Sequence, residues 1–102
     1  RGFSFAVTAP PGGDAGLVGS WGAQALNWAE MYRFTAAGAF VHTLKYNNEV
    51  STTVGSYRAR GDTIRFFNQW SNGERVSNDT SKYSYLDFGK TVLIASGSFD
   101  KK

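Results

Sequence analysis

One imidazole is available for chemistry in this chain, His42, and there is no thiol. A metal centre built on several histidines is excluded. So are disulfides, cysteine-ligated zinc, iron–sulfur clusters and cysteine nucleophiles. His42 sits in Phe40-Val-His-Thr-Leu-Lys-Tyr46. Alternation in a strand puts Phe40, His42, Leu44 and Tyr46 on one side, so the imidazole belongs to an apolar face. Catalysis by His42 would need a hydroxyl or carboxylate positioned beside it. Serines are abundant, but none stands in a Gly-x-Ser-x-Gly elbow. Glu30, Glu49 and Glu74 lie near expected turns, and their spacing sets no two carboxylates across one substrate. The chain therefore reads as a non-enzyme, with no catalytic residue, metal or cofactor expected.

Three short signals could carry recognition instead. Arg60-Gly61-Asp62 spells an adhesion tripeptide at an expected hairpin tip, where Gly-Asp is sufficient to make the turn. Asn78-Asp79-Thr80 fits a glycosylation sequon, and equally a turn. Arg58, Arg60 and Arg65 flank one hairpin, with Phe67 on the same alternation as Arg65. Such a face can stack and neutralise a single strand of nucleic acid, but the net charge is only +3. No nucleic-acid partner is expected.

The elements that would position these residues are strands. The chain has 102 residues, enough for one core, and is 16% aromatic and 19% charged, which excludes disorder for its bulk. No apolar run reaches the ~18 residues of a membrane-crossing helix. Residues 1–15 read as an arm or linker, punctuated by Pro10-Pro11-Gly12-Gly13, and residues 16–102 as the compact domain. The opening Arg1 in place of Met suggests a processed product or an expressed fragment, and Phe3–Ala9 is too short for the core of a signal peptide. Alternating or β-branched segments run over Leu17–Trp21, Met31–Thr35, Phe40–Tyr46, Val50–Ala59, Thr63–Trp70, Arg75–Leu86 (interrupted near Asn78-Asp79) and Thr91–Ala95. Turn residues separate them, with Asn72-Gly73 the strongest hairpin signal. Only Ala23–Glu30 suggests a short helical turn.

Seven strands result, or eight with Phe3–Thr8. Tight turns make the pairing antiparallel and sequential. So many aromatics need enclosure, and an all-β up-and-down meander closing into a small barrel provides it while removing the sheet edges. The expected core is Tyr32, Phe34, Phe40, Leu44, Tyr57, Ile64 and Phe66. Alternation also puts Ile64, Phe66, Asn68 and Trp70 on one face. Trp28 beside a loop and Trp70 before a hairpin are placed to line a mouth or an outer binding surface, with His42, Tyr46 and Asn68 as the few polar groups a ligand pocket needs.

Leu17-Val18-Gly19-Ser20-Trp21, then Tyr32-Arg-Phe34 with Gly38 and Phe40, then Gly55-Ser-Tyr57 and Gly61-Asp-Thr-Ile64, resemble the small bacterial lipocalin-like proteins of the calycin group. The resemblance spans roughly Leu17 to Ile94, and Gly19-x-Trp21 is its most specific part. It implies a lipocalin-like barrel in which Gly19 and Trp21 plug the closed end. A basic side chain from a late strand would pack near the indole, with Lys82 and Lys90 as candidates. It also implies an extracytoplasmic setting (secreted, periplasmic or cell-envelope) and a small apolar or aromatic ligand in the mouth. The alternative is a module that uses its outer surface on another protein or a polysaccharide.

Overall fold

Residues with β preference, cut at short intervals by Asn-, Asp- and Gly-containing turns, form nine antiparallel strands among residues 11–102, the residues that the computed structural model describes. They are β1 (Gly19–Ala25), β2 (Trp28–Phe34), β3 (Ala39–Tyr46), β4 (Glu49–Arg60), β5 (Thr63–Ser71), β6 (Glu74–Val76), β7 (Asp79–Leu86), β8 (Thr91–Ile94) and β9 (Gly97–Lys101). Single 3-10 turns cover Ala15–Leu17 and Asp87–Gly89. The sheet runs β4-β3-β2-β1-β9-β8-β7-β5 and closes through β4–β5, while β6 pairs with the far end of β5 as an extra strand. The protein is an all-β antiparallel meander closed into an eight-stranded barrel. The possible strand at Phe3–Thr8 lies outside the described residues.

Two local expectations are corrected by pairing. Ala23–Glu30 holds no helical turn. β1 and β2 stay in unbroken register from Gly19↔Phe34 to Ala25↔Trp28, with Leu26 and Asn27 as the loop. Alanine's helix preference amounts to tenths of a kcal/mol per residue, and a full hairpin ladder outweighs it. The last strand is β9, beyond Thr91–Ala95. It reads poorly as a strand because Phe99 is its one large apolar residue, yet Phe99 is buried and β9 bridges β8 to β1.

The core contains Phe34, Phe40, Tyr57, Ile64 and Phe66, as expected, together with Leu17, Trp21, Tyr83, Val92, Ile94 and Phe99. Tyr32 packs against it from a half-buried position. Leu44 is also only half-buried, because it stands one inward step beyond His42 toward the open end.

Trp21 is fully buried, and its Nε1–H donates to the Leu17 carbonyl at 2.8 Å. The cation beside it is neither Lys82 nor Lys90. Lys82 projects outward to Asp62 at 3.0 Å, and Lys90 is exposed in the β7–β8 connection. Lys101 of β9 carries its ammonium to 4.9 Å from the indole centroid and to the Val18 carbonyl at 3.3 Å. Gly19 makes room for it. Its φ of +133° suits glycine, and a Cβ there would stand 3.4 Å from the Lys101 chain.

Residues 11–14, assigned from the sequence to the arm, pack against this end. The Gly12 carbonyl accepts from Ala59 N at 2.7 Å. Asp14 Oδ2 accepts from the hydroxyls of Tyr83 and Tyr85, each at 2.6 Å, while Oδ1 accepts from Gly16 N. Burial pushes the Asp14 carboxyl up, but the hydrogen bonds from Tyr83, Tyr85 and Gly16 outweigh it and hold the group below its ordinary value.

Replacing Phe34 or Trp21 by alanine should cost roughly 3–5 kcal/mol each, which lowers the melting temperature by about 15–30 °C or prevents folding. Thermal unfolding of the two variants checks this. The lowered Asp14 pKa stabilises the fold fully above the ordinary carboxylate value of 3.8, and that contribution is lost as pH falls through the lowered value. Urea unfolding of the parent and Asp14→Asn should therefore differ most near neutral pH and converge at the acid end.

Candidate functional site

Inward residues of consecutive strands form a cross-strand row that leads away from Trp21: its direct partner Tyr32 on β2, then His42 on β3, Thr53 on β4 and Ser71 on β5. Residues opposite one another in a ladder project to the same side, so the row faces a common space. That space is a recess of about 230 Å³ whose apolar wall is Tyr32, Phe40 and Phe66 and whose polar groups include His42, Gln69 and Asp79.

The polar groups are held in pairs. His42 Nε2 stands 2.6 Å from Glu30 Oε2, and both side chains are about four-fifths buried. The imidazole also stacks on Tyr32, with centroids 4.3 Å apart. Thr53 donates its hydroxyl hydrogen to Ser71 Oγ at 3.1 Å, so the two hydroxyls in the row engage each other and not the imidazole. Burial, and then the carboxylates of Glu30 and Asp79, push the Tyr32 phenol up to about 12. A floor of packed aromatic rings lies beneath. Phe40 meets Phe66 edge to face at 4.8 Å, and Phe99 meets Tyr32 at 5.1 Å. Among the described residues, no three His, Asp or Glu side chains converge as metal ligands.

A bulge decides which residues of β5 reach this site. Asn68 adopts φ 51°, and the β4–β5 register shifts between Val54 and Ser56. Strict alternation would put Asn68 and Trp70 inward with Ile64 and Phe66. The extra residue instead turns Gln69 and Ser71 inward and Trp70 outward. Gly55 accepts the bulge, since a Cβ there would stand 2.9 Å from the carbonyl oxygens of both Phe67 and Asn68.

Of the residues singled out from the sequence, His42 lines the recess. Trp28 and Tyr46 pair with each other at the outer ends of β2 and β3, beyond it. Asn68 is the exposed bulge residue. Trp70 lies on the outer wall, 45% exposed, with the Arg75 guanidinium 5.4 Å above its ring. Gly19 and Trp21 lie at the opposite end. Sequence reasoning missed Gln69, Glu30 and Asp79. Glu30 sits twelve residues before His42 on a strand of matching register, a spacing visible in the sequence only once the β2–β3 hairpin is fixed. Gln69 carried no signal, because alternation assigned it to the other face.

Eight strands, one end sealed by an indole and the other open over an aromatic-walled recess, define a meander barrel with a small mouth site. No protein-family model, no curated protein and no solved structure matches the chain.

The bulge predicts that Asn68→Val costs roughly 1–2 kcal/mol, the penalty for a left-handed conformation in an L-residue with a Cβ, while Asn68→Gly keeps the parent's stability. Chemical unfolding of both variants checks it. An alkaline titration followed by phenolate absorbance should contain a step near pH 12 that Tyr32→Phe removes.

Proposed function

We propose that this protein is a non-catalytic, lipocalin-like barrel working outside the cytoplasm, and that it binds a small apolar or aromatic molecule in its mouth. The observation that carries the reading is the recess itself. Tyr32, Phe40 and Phe66 offer ring faces and edges, and His42, Gln69 and Asp79 offer a few fixed polar contacts, the composition that small-molecule sites share. Its volume of about 230 Å³ lies below the usual range for drug-sized ligands, which favours one ring with a short substituent. The lipocalin-like part of the proposal is supported by the Gly19-x-Trp21 pattern and by Lys101 over the buried indole.

A second reading is favoured by one feature of the outer wall. Arg33, Val41, Val54, Trp70 and Arg75 form a single outward row across β2 to β6. An exposed indole flanked by a guanidinium and valines suits a polysaccharide or another protein.

Chemical-shift titration with a neutral single-ring compound such as 2-phenylethanol separates the two readings. The mouth reading expects shifts at Tyr32, Phe66 and Gln69, weaker binding in His42→Ala, and unchanged affinity in Trp70→Ala. Shifts confined to Trp70 and Val54, lost in Trp70→Ala, would support the outer wall instead.

A further inference from the structure

Register sorts the charged side chains of this barrel by face. The inward positions around the mouth collect Glu30, opposite Leu44; Glu49, opposite Tyr46; Glu74, opposite Ser71; and Asp79, opposite Phe66. No lysine or arginine of β2–β7 takes an inward position. The outward positions of the same strands hold Arg33, Lys45, Arg58, Arg60, Arg65, Arg75 and Lys82, and no carboxylate. Glu30 is part-buried there, while Glu49, Glu74 and Asp79 stand exposed at the rim, and with the bases on the outer face this arrangement gives the mouth a negative potential.

Gln69 points the same way independently. It is 7% exposed, and it lines the recess. Its Nε2 donates to the Ser77 carbonyl at 2.7 Å, and a carbonyl partner fixes that end as the amide nitrogen. The Oε1 end accepts no hydrogen bond among the described residues. Among the described residues no side-chain nitrogen or oxygen is buried without a partner, so this oxygen is reached from the recess, where a ligand N–H can donate to it. The nearby acids do not converge as metal ligands among the described residues. Their field therefore suits a cation larger than a bare metal ion.

We infer that the mouth recess selects a small organic ammonium carrying an aromatic ring, with Asp79 and the Gln69 carbonyl receiving the ammonium hydrogens and Phe40 and Phe66 packing on the ring. The inference rests on the reading of the recess as the ligand site and adds the sign of the ligand's charge. An ammonium brings only donors, and this recess offers acceptors in Asp79 Oδ, Gln69 Oε1 and the Tyr32 oxygen. It also offers π faces, which attract cations. A carboxylate ligand would meet Asp79 and Glu30 as like charges.

The test compares three ligands of one size on the full chain at neutral pH by titration calorimetry: phenethylammonium, 2-phenylethanol and phenylacetate. Phenethylammonium should bind about tenfold tighter than the alcohol, the margin of a charge-assisted over a neutral hydrogen bond, and phenylacetate weakest. Asp79 is exposed, so Asp79→Asn should fold normally. It should remove the amine's tenfold preference over the alcohol, whatever it does to the alcohol's own affinity. Equal binding of all three ligands, or an amine preference that survives in Asp79→Asn, overturns the charge selection while the aromatic recess stands. If none of the three binds, both the charge selection and the recess as ligand site fall.

Discussion

Closing a meander through β4–β5 leaves each strand residue two destinations, inside or outside, and most of this molecule follows from that restriction. Period-two alternation becomes a sorting rule. Most aromatic rings of the strands go inward and pack on one another, in a chain from Tyr57 through Phe34 to Tyr32 and on to His42. The bases of β2–β7 go outward, where water solvates them. Burial of one large apolar side chain is worth roughly 1.5–3 kcal/mol, so a one-residue slip in any central strand would expose several such rings and bury charges in their place.

The two ends of the barrel answer different demands. The closed end is stitched by polar groups whose partners are complete: the indole N–H on Leu17, the Tyr57 hydroxyl on the Thr35 carbonyl, and the Tyr83 and Tyr85 hydroxyls on Asp14. Apart from the local Trp21–Leu17 bond these tie residues distant in sequence, with Asp14 reaching across about seventy positions, so this end opens only as a unit. The open end leaves acceptors facing the recess and keeps its hydroxyls in a small network of their own. A site built on strands of a closed sheet is held rigidly, because its side chains stand on a backbone that the ladder fixes on both sides.

His42 and Glu30 illustrate how the two levels meet. A histidine and a carboxylate at 2.6 Å inside a recess could serve proton transfer. Here the imidazole is clamped between Glu30 and the Tyr32 ring, and the neighbouring hydroxyls of Thr53 and Ser71 bond each other. The pair orients the wall of the recess and adds to its negative character when the imidazole is neutral.

Much of the fold was legible in the sequence. Alternation over Phe40–Tyr46 and Val50–Ala59, the Asn72-Gly73 turn and the absence of helical period determined an antiparallel meander. The aromatic content determined that it closes. The resemblance through Gly19-x-Trp21 implied an enclosed indole, and Trp21 is fully buried. The candidate site was legible only at His42. Three features were decided by tertiary structure alone. The bulge at Asn68 exchanged Trp70 for Gln69, because one inserted residue reverses the facing of all that follow, and an asparagine in a strand does not announce whether it bulges. Lys101 and not Lys82 reached the indole, because β9 becomes β1's neighbour only when the barrel closes. Glu30, Gln69 and Asp79 came together from three strands by register, and register is a property of pairs of strands that a single segment does not contain.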